Sequence, residues 1–573
     1  MVTITIDGRK VTVEEGTTIL EAARQVGVRI PTLCYLKDIN QIGACRVCMV
    51  EVEGRDHLVA SCNAPCEDGI VVHTNTQRVR DTRRLNVEMI LSKHNSSCTS
   101  CVRSGNCTLQ TLARDMNVLD LPFPHRPIYR EWDHTYPLIR DMSKCVNCMR
   151  CVSVCDKVQD MHVWDVTGTG ARTGVAVRDR LDIMDAGCTF CGQCITHCPV
   201  GALRARDDTL KVFDAISDPE KITVVQVAPA VRAAWGEDFD MPREEATVPR
   251  MVAMLKAIGF DYVFDTDFSA DLTIMEEGSE FIERMTHPGE YPMPMFTSCC
   301  PGWVRYVKIR HPELAGNLST AKSPQQMFGA VTKTYFARKI GVDPNKIFCV
   351  SVMPCTAKKY EVAVEAVNDA GAGRDVDLSI TTREFVRMVK ACQIDPHTVG
   401  EAAFDDPLGE GTGAAVIFGT TGGVMEAALR SAYFLITGEN PDADAFSGVR
   451  GLDGWKERTF KAGDVTVRTA VVNGLGNATK IIDAIQSGKV HYDFVEVMAC
   501  PTGCGGGGGQ PIEDGVELGG ARGQKLYALD KTSHTRFSHE NASVQKLYEE
   551  FLGAPLSHEA HHLLHTDIKA WKL

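Results

Sequence analysis

The sequence predicts a multidomain chain of α+β and α/β class. Small cysteine-bearing domains fill roughly the first third, and a two-lobed α/β domain fills the rest. Three observations predict this. A chain of 573 residues is long enough for several domains. Of its 23 cysteines, sixteen lie at or before Cys198, mostly in short, regularly spaced runs. Beyond residue 208, continuous apolar runs alternate with helical periodicity, as buried strands of a parallel sheet do, over a length that exceeds a single ordinary core.

Composition narrows the function. The net charge is −13, with Lys and Arg spread along the chain, which argues against a nucleic-acid partner. There is no run of about 18 apolar residues, so no membrane span is expected. The N-terminus alternates like a strand and has no apolar signal-peptide core. A cytoplasmic location is therefore expected, where cysteines in such numbers are metal ligands rather than disulfides.

Residues 1–78 read as a small β-grasp domain. Short alternating runs lie at Val2–Ile6, Lys10–Val13, Cys48–Val52 and Gly69–Val72, with a helix over Thr18–Val26. Cys34, Cys45, Cys48 and Cys62 form one tight pair with two flanks. Four such thiolates suit a 2Fe–2S centre, and a zinc site satisfies the same ligand count. The spacing and the β-rich surroundings resemble plant-type ferredoxin domains, which favours iron–sulfur.

Residues 79–118 read as helical, with His94, Cys98, Cys101 and Cys107 between the helices. Three cysteines leave one corner of a 4Fe–4S cubane open, and His94 is placed to fill it; a three-cysteine, one-histidine zinc site is the alternative. Over residues 138–208, Cys145, Cys148, Cys151 and Cys155 are followed by Cys188, Cys191, Cys194 and Cys198-Pro199. This is the two-cluster ferredoxin run, in which the fourth cysteine ligates the other cluster. Cys145, Cys148, Cys151 and Cys198 are thus expected to hold one 4Fe–4S centre, and Cys188, Cys191, Cys194 and Cys155 a second.

In residues 209–573, strands are expected over Thr223–Val227, Asp261–Phe264, Pro294–Thr297, Ile347–Met353, Ala414–Phe418, Val467–Val472 and Phe494–Met498. Helices are expected over Val248–Ile258, Phe281–Met285, Pro324–Ile340, Thr382–Lys390 and Val424–Thr437. Three of the strands run into cysteine beside proline: Cys299-Cys300-Pro301, Pro354-Cys355, and Cys500-Pro501 with Cys504 close behind. Ligands of a parallel sheet gather beyond the strands' carboxyl ends, so these cysteines converge on one buried inorganic centre. Adjacent side chains on an extended chain point to opposite faces, so one of Cys299 and Cys300 ligates while the other stays free. Cys300, Cys355, Cys500 and Cys504 are enough for a further cubane. Cys299, Lys358, Met353 and Met498 exceed what an electron relay needs. The glycines from Gly419 and from Gly505 to Gly509 match no nucleotide motif and read as backbone passing close to a bulky buried group.

With these segments in view, the chain resembles the iron-only (FeFe) hydrogenases over essentially its whole length. The family's three signatures stand as residues Thr297–Trp303, Met353–Glu361 and Glu496–Pro511. The resemblance implies ferredoxin-like iron–sulfur domains followed by a catalytic domain that holds an H-cluster. That group is a 4Fe–4S cubane on Cys300, Cys355, Cys500 and Cys504, bridged through Cys504 to a two-iron unit with CO, cyanide and a dithiolate amine. Lys358 would hydrogen-bond a cyanide, as a compact cation suits a buried anionic ligand. Pro229, Ala230, Gln325, Met353, Phe418 and Met498 would line the pocket. Several family members have Ser where this chain has Ala230, which leaves the second cyanide to the backbone.

Cys299 would pass protons between the amine and the protein, since a free thiol with pKa near about 8.5 suits general acid–base work. The family's route then maps onto Glu277, Ser319, Glu280 and Arg284. From spacing alone, Glu277 and Glu280 would read as a solvated helix face.

The implied activity is reversible oxidation of H2 to protons and electrons under anaerobic conditions, with electrons relayed through the N-terminal clusters. Ala228-Pro-Ala230 and Thr32-Leu-Cys-Tyr-Leu36 resemble the multimeric NAD(P)-linked, electron-bifurcating group. This implies flavin- and NAD-binding partner subunits beside ferredoxin, because the chain carries no dinucleotide or flavin motif of its own. A stand-alone ferredoxin-dependent enzyme is the alternative. A non-catalytic H2 sensor would lack Cys299 and carry an appended signalling domain, whereas only a short tail is expected after the third signature. An electron-transfer subunit like that of respiratory NADH dehydrogenase would share only the first 208 or so residues in type. Cys66, Cys349 and Cys392 receive no role.

Overall fold

The computed structural model describes residues 1–572, which fall into two compact units. The first comprises residues 1–186, 193–204 and 513–516; the second comprises 187–192, 205–512 and 517 onward.

The first unit opens with a five-stranded mixed sheet in the order Arg9–Val13, Val2–Ile6, Val71–His73, Met49–Val52, Val59–Ala60. Only the Val2–Ile6 and Val71–His73 pair is parallel. The helix Ile19–Gln25, capped by the Thr18 hydroxyl, packs its apolar face on the sheet through Ile19, Leu20, Ala22 and Ala23. Two further helices follow, Gln77–Lys93 and Thr108–Asp115, with the His94–Cys107 loop between them.

The second unit contains two four-stranded sheets. In the first, Tyr262–Asp265, Ile222–Val227, Ile347–Met353 and Leu378–Thr381 all run parallel. Its side chains alternate between two separate cores: Val225, Val227, Val350 and Val352 face one, while Val224, Ile347 and Cys349 face the other. Both faces are covered, which explains the unbroken apolar runs. Cys349 is one of these core residues, Cys66 is another in the first unit, and Cys392 is exposed at a helix end. In the second sheet, Met295–Phe296, Phe494–Met498 and Val465–Asn473 are parallel and Trp455–Ala462 is antiparallel at the edge. The cysteine-bearing strands thus belong to two sheets, not to one.

Three further expectations need correction. The run Ala414–Phe418 is not a strand: it is the helix Gly413–Val416 followed by a tight turn, Ile417–Gly419. A short apolar run buried on all sides does not distinguish strand from helix. Asp271 decides the matter locally by accepting from the Thr412 amide at 2.9 Å and the Thr412 hydroxyl at 2.7 Å, which fixes the turn that starts the helix.

The helix expected over Phe281–Met285 is only the end of one spanning Thr266–Thr286. That helix is buried on nearly every side between two apolar cores, with Phe268 and Leu272 in one and Ala270, Ile274 and Phe281 in the other. Finally, the stretch after the third signature is not a loose tail. It forms the helices Gly519–Thr532 and His558–Leu564, and its Val544, Leu547, Leu563 and Leu564 complete a core.

Candidate functional site

The four signature thiols of the second unit are brought together. Cys300 is the N-cap residue of the helix Pro301–Arg310, and Cys355 follows the strand Ile347–Met353. Cys500 follows Phe494–Met498, and Cys504 ends the short strand Pro501–Cys504. Burial first, then the charges of Cys355, Cys300 and Cys504, push the Cys500 thiol well up. Cys504 is raised in the same way by burial, Cys300 and Cys355.

Cys504 packs against two apolar groups at once, one containing Ala230 and the other containing Phe418 and Met498. Its sulfur is 4.0 Å from that of Met498. Pro229 and Ala230 are buried in the turn after Ile222–Val227, and Met353 shares a core with Cys355. The glycines allow a close approach of one backbone segment to another. A Cβ at Gly509 would lie 2.8 Å from the Cys355 amide, one at Gly507 would lie 2.2 Å from the Pro354 carbonyl, and one at Gly419 would lie 3.1 Å from Ala230.

Lys358 is held by a buried acid. Its ammonium donates to Glu361 at 2.8 Å and to the Cys299 carbonyl at 3.1 Å. Burial alone would depress its pKa, but Glu361, then Cys299 and Cys355, outweigh burial and leave it raised. The same Glu361 oxygen accepts from Ser323 and from the Gln325 amide, both at 2.9 Å. Ser351 in turn fixes the Gln325 carbonyl at 2.6 Å. Gln325 therefore acts on Lys358 through Glu361.

Beside the four thiols, Cys299 is pushed well up by burial first and by Glu277 next. Glu277 is fully buried, and neither of its oxygens has a partner at hydrogen-bond distance. Burial, then the charge of Glu280, lifts it to about 8, held back by the nearby Ser319 hydroxyl and Ser298 amide. The Ser319 hydroxyl donates to Glu280 at 2.7 Å, and Arg284 donates to Glu280 at 2.5 Å. All five predicted relay residues thus lie in one neighbourhood, and Glu280 and Arg284 are nearly buried.

Sequence reasoning missed what adjoins them. Thr320 donates its amide to Glu280 and shares its hydroxyl with His565 at 2.8 Å, and His565 meets the buried Glu276 at 3.0 Å. No local signal links residues so far apart. Glu361, by contrast, was findable, because it stands three residues from Lys358 inside the second signature.

In the first unit, the Cys34 thiol lies against those of Cys45 and Cys62, and Cys62 against Cys48. His94, Cys98, Cys101 and Cys107 line one cavity of about 250 Å³. The His94 Nδ1 is 3.0 Å from the Lys144 carbonyl, and a donor Nδ1–H there leaves Nε2 as the lone-pair nitrogen a metal needs. Cys145, Cys148, Cys151 and Cys198 line a second cavity together. Of the remaining set, Cys155 and Cys194 belong to the first unit, and Cys188 and Cys191 to the second.

The donor sets that lie together, those of Cys34, His94, Cys145 and Cys300, fit the iron–sulfur groups that the sequence implies. They are clustered soft thiols rather than isolated core cysteines, and the cavity at His94 contains a buried guanidinium, Arg103, whose two terminal nitrogens have no protein partner. A buried unpaired cation calls for an anionic neighbour, which a thiolate-ligated cluster supplies.

Comparison with known proteins agrees. The family model described as iron only hydrogenase large subunit, C-terminal domain, matches residues 221–508. Models for a 2Fe-2S iron-sulfur cluster binding domain, the NADH-ubiquinone oxidoreductase-G iron-sulfur binding region and a 4Fe-4S dicluster domain match 1–77, 83–121 and 144–202. An iron hydrogenase small subunit model matches 518–571, the stretch expected to be a tail.

The chain is 47% identical to the NADP-reducing hydrogenase subunit HndD of Solidesulfovibrio fructosivorans, over 99% of this chain and 98% of that protein. It is 38% identical to iron hydrogenase 1 of Clostridium pasteurianum, over 99% and 100%. Among solved structures it is similar to the apo FeFe hydrogenase from Chlamydomonas reinhardtii, with 43% identity, a TM-score of 0.56, and coverage of 63% of this chain and 98% of that one. Among the described residues, no helix is long and apolar enough to cross a membrane.

Proposed function

The chain belongs to the iron-only hydrogenases, and on that premise we propose how its own residues serve the interconversion of H2 with protons and electrons. It carries 2Fe–2S and 4Fe–4S domains ahead of an H-cluster domain. When bound, the H-cluster supplies the iron site at which H2 is split or formed.

We assign Cys300, Cys355, Cys500 and Cys504 as the residues that would hold the H-cluster. The convergence of these four thiols beside a fifth, Cys299, is the observation that carries the reading. Lys358, aimed by Glu361, offers N–H donors to an anionic diatomic ligand. Pro229, Ala230, Met353, Phe418 and Met498 exclude water, and Gln325 holds the acid that holds Lys358. Cys299 takes and yields the proton at its sulfur, Glu277 accepts it, and Ser319, Glu280 and Arg284 continue the route. A carboxyl with pKa about 8 is half-ionised close to neutrality, as a relay group must be.

The accessory assignments are Cys34, Cys45, Cys48 and Cys62 for the 2Fe–2S centre, and His94, Cys98, Cys101 and Cys107 for one 4Fe–4S centre. Cys145, Cys148, Cys151 and Cys198 hold the next, and Cys155, Cys188, Cys191 and Cys194 the last. The corresponding domains are 1–78, 79–118, 138–208 and 209–573.

We further place the chain in the cytoplasm as the hydrogenase subunit of a complex whose flavin- and NAD(P)-binding partners, with ferredoxin, share its electrons. The close similarity to an NADP-reducing hydrogenase subunit supports this. The infrared spectrum of anaerobically matured protein tests the site: CO and cyanide stretching bands are expected, and their absence refutes the H-cluster assignment. Sizing of the native protein, with H2-dependent NAD(P) reduction assayed with and without ferredoxin, tests the complex. A monomer that reduces ferredoxin alone refutes it.

A further inference from the structure

Arg103 has no part in the chemistry described so far, yet it is buried to 7% exposure beside four proposed cluster ligands. Its Nε donates to the Asn106 carbonyl at 2.8 Å, while Nη1 and Nη2 are buried without a partner. The cavity they share with His94, Cys98, Cys101 and Cys107 has no carboxylate among its described lining residues, and no described ion pair involves Arg103. A guanidinium stays charged at any working pH. Its burial here without a counter-ion is costly unless an anion fills the cavity.

The side chain also lies at a junction. The Cys107 sulfur is 3.8 Å from the carbonyl of Pro199, the residue next to Cys198. A Cβ at Gly201 would lie 2.5 Å from the Cys101 sulfur and 3.8 Å from the Arg103 Cγ. Cys107 and Cys198 belong to two different ligand sets.

We propose that Arg103 is a tuning residue shared by two neighbouring iron–sulfur centres, the one at His94, Cys98, Cys101 and Cys107 and the one at Cys145, Cys148, Cys151 and Cys198. Its free N–H groups donate to sulfur of the first, and its charge stabilises the added electron at both. Net charge and hydrogen bonds to sulfur are the protein's main controls over cluster potential. A cation favours the reduced, more negative state, so Arg103 holds both potentials up. The inference rests on the ligand sets proposed above.

The test is a redox titration of the full holoenzyme, followed by the electron paramagnetic resonance signals of the accessory clusters, in wild type, R103Q, R103K and H94Q. In R103Q the ratio of reduced to oxidised cluster at fixed ambient potential is expected to fall at least tenfold for the His94 cluster, a drop of about 59 mV for a one-electron couple. A smaller drop in the same direction is expected at its neighbour. R103K keeps the charge and is expected to recover at least half of the shift. Unchanged potentials in R103Q overturn the proposal, as does a lysine variant no better than the glutamine one. Equal loss of iron from both variants would assign Arg103 to packing and also overturn it. H94Q separates the two levels of inference. If it leaves every cluster signal as in wild type, the ligand set itself falls. If it alters one signal while R103Q alters none, only the tuning role falls.

Discussion

Replacing Glu277 by glutamine tests the proton route and the packing around it together. The carboxyl is fully buried in the helix Thr266–Thr286, and burial, with Glu280 second, lifts its pKa from 4.5 to about 8. Between those pH values the folded protein keeps a proton that the unfolded chain has lost. Stability therefore falls as pH rises, at about 1.4 kcal/mol per pH unit. Across the window from 4.5 to about 8 the loss accumulates to about 5 kcal/mol. Glutamine has no proton to lose. E277Q and wild type are expected to match in stability below pH 4.5, to diverge through the window, and to differ by a constant amount above about 8, with the variant more stable. Thermal unfolding of the anaerobic proteins across pH reads the divergence, and H2 turnover on the same samples is expected to fall at least about 100-fold with iron content unchanged. A stability difference that does not change with pH would mean that Glu277 is ionised throughout. Wild-type turnover in E277Q would remove it from the route.

The remaining predictions concern single side chains. C299S is expected to remove most turnover, at least about 100-fold, while iron content and infrared bands stay as in wild type; a fully active variant shows that the proton leaves by another group. E361Q leaves the Lys358 ammonium buried without its acid, which costs roughly 3–5 kcal/mol. The loss is expected below the raised Lys358 pKa and to vanish as pH climbs through it, and unfolding at neutral pH that matches wild type refutes the pairing. H94A is expected to lose or alter one 4Fe–4S signal while the 2Fe–2S signal is preserved; iron content and paramagnetic spectra that match wild type would dismiss the histidine as a ligand.

How much of this was legible in the sequence depended on whether the cause was local. Cysteine spacing is local, so every proposed ligand set could be written down before any coordinate was known. The apolar runs at Ile222–Val227, Ile347–Met353 and Phe494–Met498 were legible as strands because β-branched residues covered on both faces leave an unbroken apolar signal. Their division between two sheets was not legible, since nothing in a strand says which neighbour it will pair with. The helix Thr266–Thr286 was largely hidden for the opposite reason. It carries Asp267, Asp271, Glu276, Glu277 and Glu280, all buried, although spacing alone would put Glu277 and Glu280 on a solvated face. Most of those acids meet distant partners: Asp267 meets Arg232, Asp271 meets Asn541, and Glu276 meets Tyr548. Polarity predicts exposure only when no partner arrives from elsewhere in the chain.

The same non-locality bears on how the site is held. Cys355 follows a strand of one sheet, whereas Cys300 and Cys500 follow strands of the other and Cys504 ends the short strand just after Cys500. The loops that carry them press backbone on backbone, with Gly507 and Gly509 against Pro354 and Cys355, at distances that leave no room for a side chain. Burial and the charges of neighbouring thiols raise the pKa values of Cys500 and Cys504, so neither gains by being there as a thiolate. On the ligand set proposed above, binding iron would deprotonate them, and the free energy of ligation would become free energy of folding for this part of the chain. A cubane held by that set would fasten the two sheets to each other. Lys358 and Cys299 sit on the same loops, with the Lys358 ammonium already held by Glu361 and by the Cys299 carbonyl.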